Sequence, residues 1–411
     1  MFRDSMHGCK ITEEPALCDW VVLRIHEKKV GEPLRVAVLE TIPEDTKLQT
    51  QWNDLVLQLD DPQVFYTYEW SLAVKRAYGT SLNPLLFLAY DEADVLCGLV
   101  SLAVDDKQHQ VTFLCATTGD YCDFLALTDR KSQFVSAVLE SLRDRGIVDI
   151  TLTNLPADST TVAAFEEHSA KNGYYWFTRT AYICAQVVLE RIERRSSDGK
   201  PLLPGRKMVR RSLSAMSGES PVRLDHAYNW DSVATFFPEF VRAHIERFTA
   251  TGRISNLARP ERQRFLTELA KLLGDSGWLA LTRMMSGDRV LAWNYGFHFE
   301  GTWFWYQPTF DTQMERYSPG FCLLSKLIEQ AAEDPALRIV DLGLGDEEYK
   351  ERFANQNRRT LYVTLRRSLR RHLKEVLRYR ATEAIKISPQ LERSARKAWS
   401  GLRALADKNK T

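Results

Sequence analysis

Two stretches of this 411-residue chain carry the same series of structural signals in the same order. In each stretch, β-branched and aromatic runs alternate with turn-forming residues, and one apolar helical pattern precedes the last run. In the first stretch a strand, turn, strand, strand, helix and strand are predicted at residues 84–89, 91–94, 95–104, 111–114, 134–142 and 147–152. In the second stretch the same elements are predicted at residues 278–282, 286–288, 290–299, 302–307, 321–332 and 339–342. The nearly constant spacing indicates two copies of one α/β unit.

Length and composition agree with two such units. A chain of 411 residues exceeds what one core usually encloses, and 44% hydrophobic content is enough for two packed cores. Strands that alternate with helices favour mixed sheets covered by helices, so we predict an α/β fold with mixed α+β sheets. The predicted parts are a polar leader at 1–34, a first unit at 35–190, a charged and proline-ended linker at 191–204, a second unit at 205–366 and a basic helical tail at 367–411. Each unit is predicted to close with a strand, at residues 180–189 and 360–365.

A short turn in the second unit has the features of a phosphate-binding loop. It lies between an aromatic strand and an apolar helix and consists of Tyr317, Ser318, Pro319, Gly320 and Phe321. Proline suits the first turn of a helix, glycine lets a ligand approach the backbone, and a helix N-terminus offers unpaired N–H groups to an anion. The alternative is that Ser-Pro-Gly only turns the chain and caps the helix.

The segments that follow this turn resemble a known family. Residues 338–346 have the pattern of a buried strand that ends in glycines, and residues 347–353 that of a short helix opened by acidic residues. The aromatic strand, Tyr-Ser-Pro-Gly, the apolar helix, Asp-x-Gly-x-Gly and Glu-x-Tyr-Lys-x-x-Phe together resemble the CelD or BioF-like acetyltransferase domain family of the GNAT superfamily. That family is similar in design to the Fem peptidoglycan aminoacyltransferases, which carry two GNAT units in one chain.

The resemblance implies an enzyme that moves an acetyl or other acyl group from a CoA thioester to an amine or hydroxyl. The acceptor would be a small molecule, a sugar or a polysaccharide precursor, and no metal is implied. Acetyl-CoA or another acyl-CoA would bind with its pyrophosphate at the 317–321 turn. The superfamily pattern there is Arg or Gln, two residues, Gly, one residue, and Gly or Ala; residues 316–322 depart from it by one extra residue and by lacking the second small residue. Two alternatives stay open: a non-catalytic accessory protein of polysaccharide or envelope biosynthesis, and a Fem-like transferase that uses aminoacyl-tRNA.

The chemistry of acyl transfer selects candidate catalytic residues. The acceptor must lose a proton, and the developing oxyanion must meet a hydrogen-bond donor. The predicted catalytic residues are two candidate bases and three polar neighbours, Asp341, Asp311, Tyr306, Tyr349 and Lys350. Asp341 ends a strand beside a glycine-rich turn, where open α/β sheets place ligands, and Lys350 could neutralise an oxyanion or a phosphate. The alternative is that Asp341 caps the next helix or pairs with Lys350.

Further candidates concern the acceptor. By resemblance, the loop with Asp120, Tyr121 and Asp123 lies near the substrate cleft. His244 and Arg247 share a helix face and are also candidates, with an ordinary surface pair as the alternative. The first unit has no equivalent of Ser-Pro-Gly, so we expect one unit to keep the donor site while the other shapes the acceptor site in the cleft between them.

The end of the chain is strongly basic. From residue 366 onward, 14 Lys and Arg stand against 4 Asp and Glu, a net charge of +10, which leaves −9 on the preceding 365 residues because the whole chain carries +1. Helical apolar spacing at 369–377 and 395–405, interrupted by Ser388 and Pro389, predicts two amphipathic helices. They could pack on the acidic body, lie on an anionic membrane surface or bind nucleic acid, the least favoured partner.

Other features concern the compartment. Apolar stretches stay shorter than the roughly 18 residues that span a bilayer, and the start of the chain lacks the apolar core of a signal peptide. The seven cysteines are scattered without metal-ligand spacing, which is typical of reduced thiols. Cys122 lies in a polar loop after a predicted strand, but the sequence shows no nearby base that could activate its thiol as a nucleophile. We expect a cytoplasmic protein, with peripheral association at the inner membrane surface as one use of the basic tail.

Overall fold

The structure is a computed structural model that describes residues 34–105, 107–192, 195–196, 201–217, 220–274 and 276–384, together with the backbone of residues 21–23 and 385–387. In this part of the chain the strands are β1 (Val21–Leu23), β2 (Arg35–Leu39), β3 (Asn83–Tyr90), β4 (Leu96–Asp105), β5 (Gln110–Phe113), β6 (Leu125–Ala126), β7 (Asp149–Pro156), β8 (Tyr175–Val188), β9 (Val222–Ala227), β10 (Leu279–Ser286), β11 (Arg289–Phe299), β12 (Thr302–Phe310), β13 (Ile339–Leu344) and β14 (Gln356–Arg366).

The α-helices of the same part are α1 (Thr46–Leu57), α2 (Tyr68–Tyr78), α3 (Thr128–Asp144), α4 (Thr160–His168), α5 (Arg206–Met216), α6 (Trp230–Ala250), α7 (Pro260–Leu272), α8 (Pro319–Ala331), α9 (Glu348–Glu351) and α10 (Leu369–Ile387). Short 3-10 helices lie at Val64–Tyr66, Ala170–Asn172, Leu189–Arg191, Asn256–Ala258 and Thr312–Tyr317. Each strand and helix of the two predicted repeats is therefore present.

The strands form one continuous mixed sheet in the order β1-β2-β3-β4-β5-β7-β14-β8-β13-β12-β11-β10-β9, and β6 pairs with β4 beside this path. Two neighbouring pairs are parallel, β5 with β7 and β12 with β13, and each belongs to one half of the chain. The other pairs are antiparallel, which suits hairpins joined by short turns. The predicted α/β fold with a mixed sheet is confirmed.

The two halves exchange their closing strands. β14, from the second half, lies between β7 and β8, with Val363 opposite both Leu152 and Thr178. β8, from the first half, also pairs with β13, where Val188 lies opposite Ile339. Because both neighbours of each closing strand come from the other half, the sheet runs without a break from one half to the other.

Helices cover both faces of the sheet. On β12, Trp303 and Trp305 pack with α5 and α8, whereas Phe304 and Tyr306 point into the core shared with the first half. This alternation follows from the period of two along a strand.

The shared core holds the halves together beside the candidate site. Trp70 of α2 contacts Phe265 of α7, with ring centroids 5.4 Å apart, and Tyr306 of β12 at 5.6 Å. Phe65 contacts Phe304 at 5.2 Å. Each such ring contributes about 1.5–3 kcal/mol when it is fully buried, so these contacts stabilise the packing of one half against the other.

The two ends of the chain are described only in part. The predicted leader lies outside the described residues except for β1 and Leu34. The first predicted tail helix is present as α10, and the second, at 395–405, lies outside the described residues. Of the helices that the structure describes, none combines the length and the apolar character needed to cross a membrane.

Candidate active site

β12 and β13 separate along their length. They pair only from Thr302 opposite Ile339 to Phe304 opposite Asp341, although β12 continues to Phe310. A parallel pair that stops pairing in this way leaves an opening in the sheet, with backbone groups of both strands outside the ladder.

A bulge on β12 lies at the same point. Tyr295 pairs with Gln307 and Phe297 pairs with Phe304, so β12 has one extra residue opposite Gly296. A Cβ on Gly296 would lie 2.6 Å from the Phe304 carbonyl oxygen, which explains why a glycine faces the bulge. Bulges re-aim backbone groups and are common beside active sites.

A cleft of about 570 Å³ opens where the strands separate, and both halves line it. The first half contributes the loop 116–120, the end of β7 and the middle of β8. The second half contributes residues of α7, β12, β13 and β14, among them Arg262, Gln307 and Leu344. This cleft lies between the two halves, where the site was predicted, and its use as an active site stays a prediction.

Asp120 is one of the residues that line the cleft. A Cβ on Gly343, whose φ is +72°, would lie 2.7 Å from Asp120 Oδ2, so the carboxyl rests directly against the backbone of β13. The Leu344 N–H donates a hydrogen bond to it. Burial and the neighbouring charge of Asp341 raise the pKa of Asp120 to about 7, while Lys350 and Arg262 act in the opposite direction. A carboxyl that titrates near neutral pH is suited to proton transfer.

Asp341 is buried behind the cleft and is not among the residues that line it. Its Oδ2 accepts hydrogen bonds from Tyr121 Oη at 2.7 Å and from Gln186 Nε2 at 2.8 Å. Its Oδ1 accepts one from the Gly343 N–H at 2.8 Å. Both Tyr121 and Gln186 belong to the first half, so this carboxylate joins the halves and holds a negative charge next to Asp120.

The other predicted residues around the glycine-rich turn form a connected group. Lys350 is buried, donates to the Leu344 carbonyl at 2.7 Å and pairs with Glu347 at 2.7 Å. The Tyr349 hydroxyl accepts from Trp305 Nε1 at 3.2 Å, and burial raises the pKa of Tyr349 to about 12. This group fixes the segment after β13 against β12.

Tyr306 lines the cleft itself. Its hydroxyl accepts a hydrogen bond from Arg262 Nη2 at 2.6 Å and donates one to the Thr118 carbonyl. Burial raises the pKa of Tyr306, so this hydroxyl stays protonated at neutral pH.

The remaining candidates lie outside this group. Asp311 caps the 3-10 helix before α8 by accepting from the Gln313 N–H at 2.9 Å, and it pairs with Arg289 at 2.6 Å. Asp123 accepts hydrogen bonds from Ser159 and Thr161, each at 2.6 Å, at the start of α4. Neither carboxylate lines the cleft.

His244 and Cys122 are both buried. Nδ1 of His244 lies 2.8 Å from Ser255 Oγ, and its ring stacks on Phe248 with centroids 4.6 Å apart. Burial, followed by the charge of Arg247, lowers the pKa of His244 to about 4, so the ring is neutral at pH 7. Burial raises the pKa of Cys122, which keeps its thiol protonated and does not support a nucleophilic role.

The predicted phosphate turn starts α8. Ser318 has a φ of +51°, and Pro319 occupies the first helical turn. A Cβ on Gly320 would lie 3.2 Å from the Phe310 ring, and the guanidinium of Arg247 stacks on that ring at 4.3 Å.

The two flanking aromatic residues of this turn make separate contacts. Phe321 packs on Phe353 with centroids 4.5 Å apart, and Arg316 lies over the Tyr317 ring at 4.6 Å. Within the described ranges, Arg247 has no salt bridge to a carboxylate; its guanidinium donates a hydrogen bond to the Pro308 carbonyl at 3.1 Å, close to the N-terminus of α8.

A second pocket, of about 700 Å³, lies in front of α3, the helix of the first half that corresponds to α8. Its charged lining is mainly acidic and consists of Asp60, Asp61, Asp123, Asp129 and Asp158, with Lys131 and Arg358 as the basic members. Arg358 comes from β14, pairs with Asp61 at 2.6 Å and stacks on Tyr121 at 4.8 Å. An acidic pocket of this kind does not favour a pyrophosphate.

The polar residues of the cleft that sequence reasoning missed include Asn154, Arg179 and Arg262. Arg262 is one of several arginines near the start of α7, and only the packing of α7 distinguishes it from its exposed neighbours. Asn154 has a φ of +63°, a backbone conformation that the sequence does not reveal.

In the part of the chain that the structure describes, no group of three or more His, Cys, Asp or Glu side chains is arranged so that it could hold a metal ion.

Comparison with known proteins assigns the second half. Residues 205–351 match the family described as acetyltransferase (GNAT) domain. This part of the chain is a GNAT domain. The expected relationship to the GNAT superfamily is thereby confirmed, while the finer resemblance to CelD or BioF-like proteins stays a prediction. No curated protein sequence matches the chain.

Solved structures with the same fold cover both halves. The C-terminal DUF2156 domain of a candidate lysylphosphatidylglycerol synthetase from Agrobacterium fabrum has a TM-score of 0.50 and 12% identity, covering 81% of this chain and 95% of that one. A conserved Bacteroides thetaiotaomicron VPI-5482 protein of unknown function has a TM-score of 0.53 and 11% identity, covering 78% and 97%. FemX has a TM-score of 0.52 and 9% identity, covering 80% and 98%. At these identities the likeness shows the fold.

Proposed function

We propose that this protein is an acyltransferase that moves an acetyl or longer acyl group from a CoA thioester to an amine or hydroxyl. The observation that carries the proposal is Asp120, a carboxyl with a pKa near 7 at the point where β12 and β13 separate. It faces a cleft large enough for a small acceptor. The start of α8, in the part of the chain that matches the GNAT domain family, would bind the acyl donor.

The donor would bind at the start of α8. The N–H groups of Gly320 and Phe321 precede the first intrahelical donor, Cys322, and can therefore bind a phosphate. Arg247, which the sequence suggests as an acceptor residue, lies beside Phe310 at this end and fits a second phosphate contact. The acyl arm would then pass between β12 and β13, where the bulge leaves backbone N–H groups to meet the thioester oxygen.

Asp120 would act as the general base. Its carboxylate takes a proton from the acceptor amine or hydroxyl, directly or through a water, as the acceptor attacks the carbonyl carbon. The C–S bond then breaks, and the CoA sulfur leaves as a thiolate that takes up a proton. The negative charge of Asp341 would raise the pKa of Asp120 and so make Asp120 a stronger base, and the positive charge of Lys350 would limit that rise.

A donor screen tests the proposal directly. Calorimetry with acetyl-CoA, longer acyl-CoAs and aminoacyl-tRNA should give saturable binding for one acyl-CoA and none for the RNA. Asp120→Asn should keep donor binding and lose turnover, with Asp311→Asn as the matched control because Asp311 lies outside the cleft. If no acyl-CoA binds, the proposed acyltransferase function is contradicted.

The Fem-like alternative has its own support. FemX and the synthetase domain share the fold of this chain, the 316–322 segment departs from the superfamily pattern, and the last 46 residues carry a net charge of +10. In this case the donor would be an aminoacyl-tRNA, and binding would weaken steeply with salt because phosphate contacts release counterions. Saturable binding of aminoacyl-tRNA, without acyl-CoA binding, would favour this function.

We also propose peripheral association with an anionic membrane surface through α10. Leu369, Leu373 and Leu377 are exposed at helical spacing, and arginines flank them. Sedimentation with vesicles should show binding to anionic but not zwitterionic lipid, weakened by salt. Equal recovery with both lipids would contradict this role for α10.

A further inference from the structure

We infer that the acceptor carries an oxyanion, a carboxylate or a phosphate, which Arg179 and Arg262 bind in the cleft while Asp120 faces the nucleophilic group. The inference rests on the proposed function, because it identifies the acceptor of that reaction. Its basis is the set of charges that the two halves bring into the cleft.

Arg262 is a buried cation that forms no salt bridge in the described part of the chain, although its charge acts on the Asp120 carboxyl in the same cleft. It is 6% exposed, and its guanidinium donates to two neutral oxygens, the Thr117 carbonyl at 3.4 Å and the Tyr306 hydroxyl at 2.6 Å. No salt bridge to it occurs among the residues that the structure describes. A buried guanidinium is costly unless an anion compensates it, so a ligand anion at this position would stabilise the folded protein.

Arg179 lines the cleft from β8. Its guanidinium lies 4.3 Å from the Tyr362 ring centroid and donates to the Thr180 carbonyl at 3.3 Å. Stacking on an aromatic ring leaves the edge of a guanidinium available for paired hydrogen bonds to a carboxylate or phosphate. Within the described chain, no carboxylate pairs with this arginine either.

The remaining lining adds few charges. Asp120 is the single acidic residue among those that line the cleft, and it is the residue proposed to take the proton. Asn154 offers a neutral acceptor, since its Oδ1 has no hydrogen-bond partner in the described structure, while its Nδ2 donates to the Gly119 carbonyl at 2.9 Å. Two cations against one carboxylate make the cleft suited to an anionic ligand.

The arrangement also separates the two functions of the acceptor. Asp120 rests against Gly343 of β13, and Arg179 lies on β8, the neighbouring strand of the sheet. A molecule with an amine or hydroxyl at one end and an oxyanion at the other can therefore contact both. With a neutral or purely cationic amine as the acceptor, both guanidinium groups would lack an anionic partner.

The test compares matched acceptors by calorimetry and by release of the CoA thiol. The probes are L-alanine with L-alaninamide for the carboxylate, and glucosamine 6-phosphate with glucosamine for the phosphate. In at least one pair, the anionic member should bind about 10- to 100-fold more tightly, the effect of one or two charge-assisted hydrogen bonds. The pair that shows the preference identifies which oxyanion is recognised.

Arg179→Gln should reduce that preference about tenfold or more, and Arg179→Glu should reverse it. Arg35→Gln is the matched control, because Arg35 also stacks on a tyrosine, Tyr90, at 4.9 Å but lies in the first half away from the cleft. Acetyl-CoA affinity is measured in parallel and should not change in any of the three variants.

Two results would overturn the inference: neither anionic probe binds more tightly than its neutral partner, or the preference is unchanged in both Arg179 variants. If acetyl-CoA binds and neutral amines are acylated equally well, the inference fails while the proposed function stands. If anionic probes bind but acetyl-CoA does not, the proposed function fails while recognition of an oxyanion in the cleft stands.

Discussion

Replacing Asp120 by Asn tests both the proposed chemistry and the electrostatics of the site. The substitution keeps the size of the side chain and removes only its ability to ionise. In the folded protein this carboxyl has a pKa of about 7, compared with an ordinary value of 3.8, because of burial and the charge of Asp341. The variant should therefore lose turnover and gain stability at neutral and higher pH.

The size of the stability effect follows from the pKa. Between about pH 4 and pH 7 the folded state holds a proton at Asp120 that the unfolded state has lost, so the contribution of this group to stability falls as pH rises through that window. Three pKa units correspond to about 4 kcal/mol at most. Asp120 is partly exposed, and water offsets part of this amount, so we expect a gain of about 1–2 kcal/mol for Asp120→Asn above pH 7. Below about pH 4 the two proteins should have equal stability.

Denaturant unfolding at pH 4 and pH 8 measures this difference, and the pH dependence of turnover measures the chemistry. In the unmodified protein kcat/KM should rise through about pH 7, and in Asp120→Asn it should fall by about 10²- to 10⁴-fold at pH 8. A variant that is less stable at pH 8, or that keeps full turnover, would refute the assignment of Asp120 as a half-buried carboxyl that acts as the base.

Gly320→Val adds methyl groups to a Cβ that would already lie 3.2 Å from Phe310, so acetyl-CoA affinity should fall about tenfold or more, the value of one charge-assisted hydrogen bond, while unfolding stays cooperative. Unchanged affinity in calorimetry would exclude the start of α8 as the donor site. Titration with a tight donor analogue should give one equivalent per chain, because the pocket before α3 is acidic; two equivalents would mean that the first half also binds the donor. Asp341→Asn should lower the midpoint of the pH–rate profile by lowering the pKa of Asp120, and Lys350→Met should raise it, whereas shifts in one direction for both would contradict the proposed charge cluster.

Much of the fold could be predicted from the sequence because its signals are local. β3, β4, β11 and β12 lie within a few residues of their predicted positions, and α8 begins at Pro319, inside the predicted Ser-Pro-Gly turn. The closing strands β8 and β14 were also predicted as strands. Their exchange was not, because pairing partners and register depend on contacts between residues far apart in the chain.

The site was less accessible to sequence reasoning. Resemblance pointed to the loop of Asp120 and to the strand of Asp341, but the sequence favoured Asp341 as the base. In the structure Asp341 accepts three hydrogen bonds behind the cleft, whereas Asp120 faces the opening. The difference depends on how the two halves pack, as does the burial of Arg262, and no local pattern encodes either.

The exchanged strands explain how a site between two units can be held with the precision that catalysis requires. Asp341 belongs to the GNAT domain, yet two of its three hydrogen-bond donors, Tyr121 and Gln186, come from the first half. Gln186 lies on β8, which pairs with both β13 and β14, so the donor is part of the same sheet as the carboxylate. If the halves separated, a buried carboxylate would lose its partners, at a cost of about 1–3 kcal/mol for each unsatisfied group. The charge cluster around Asp120 therefore forms only when the two halves pack together. In this way the first half contributes to the proposed active site, although it is not expected to bind the donor.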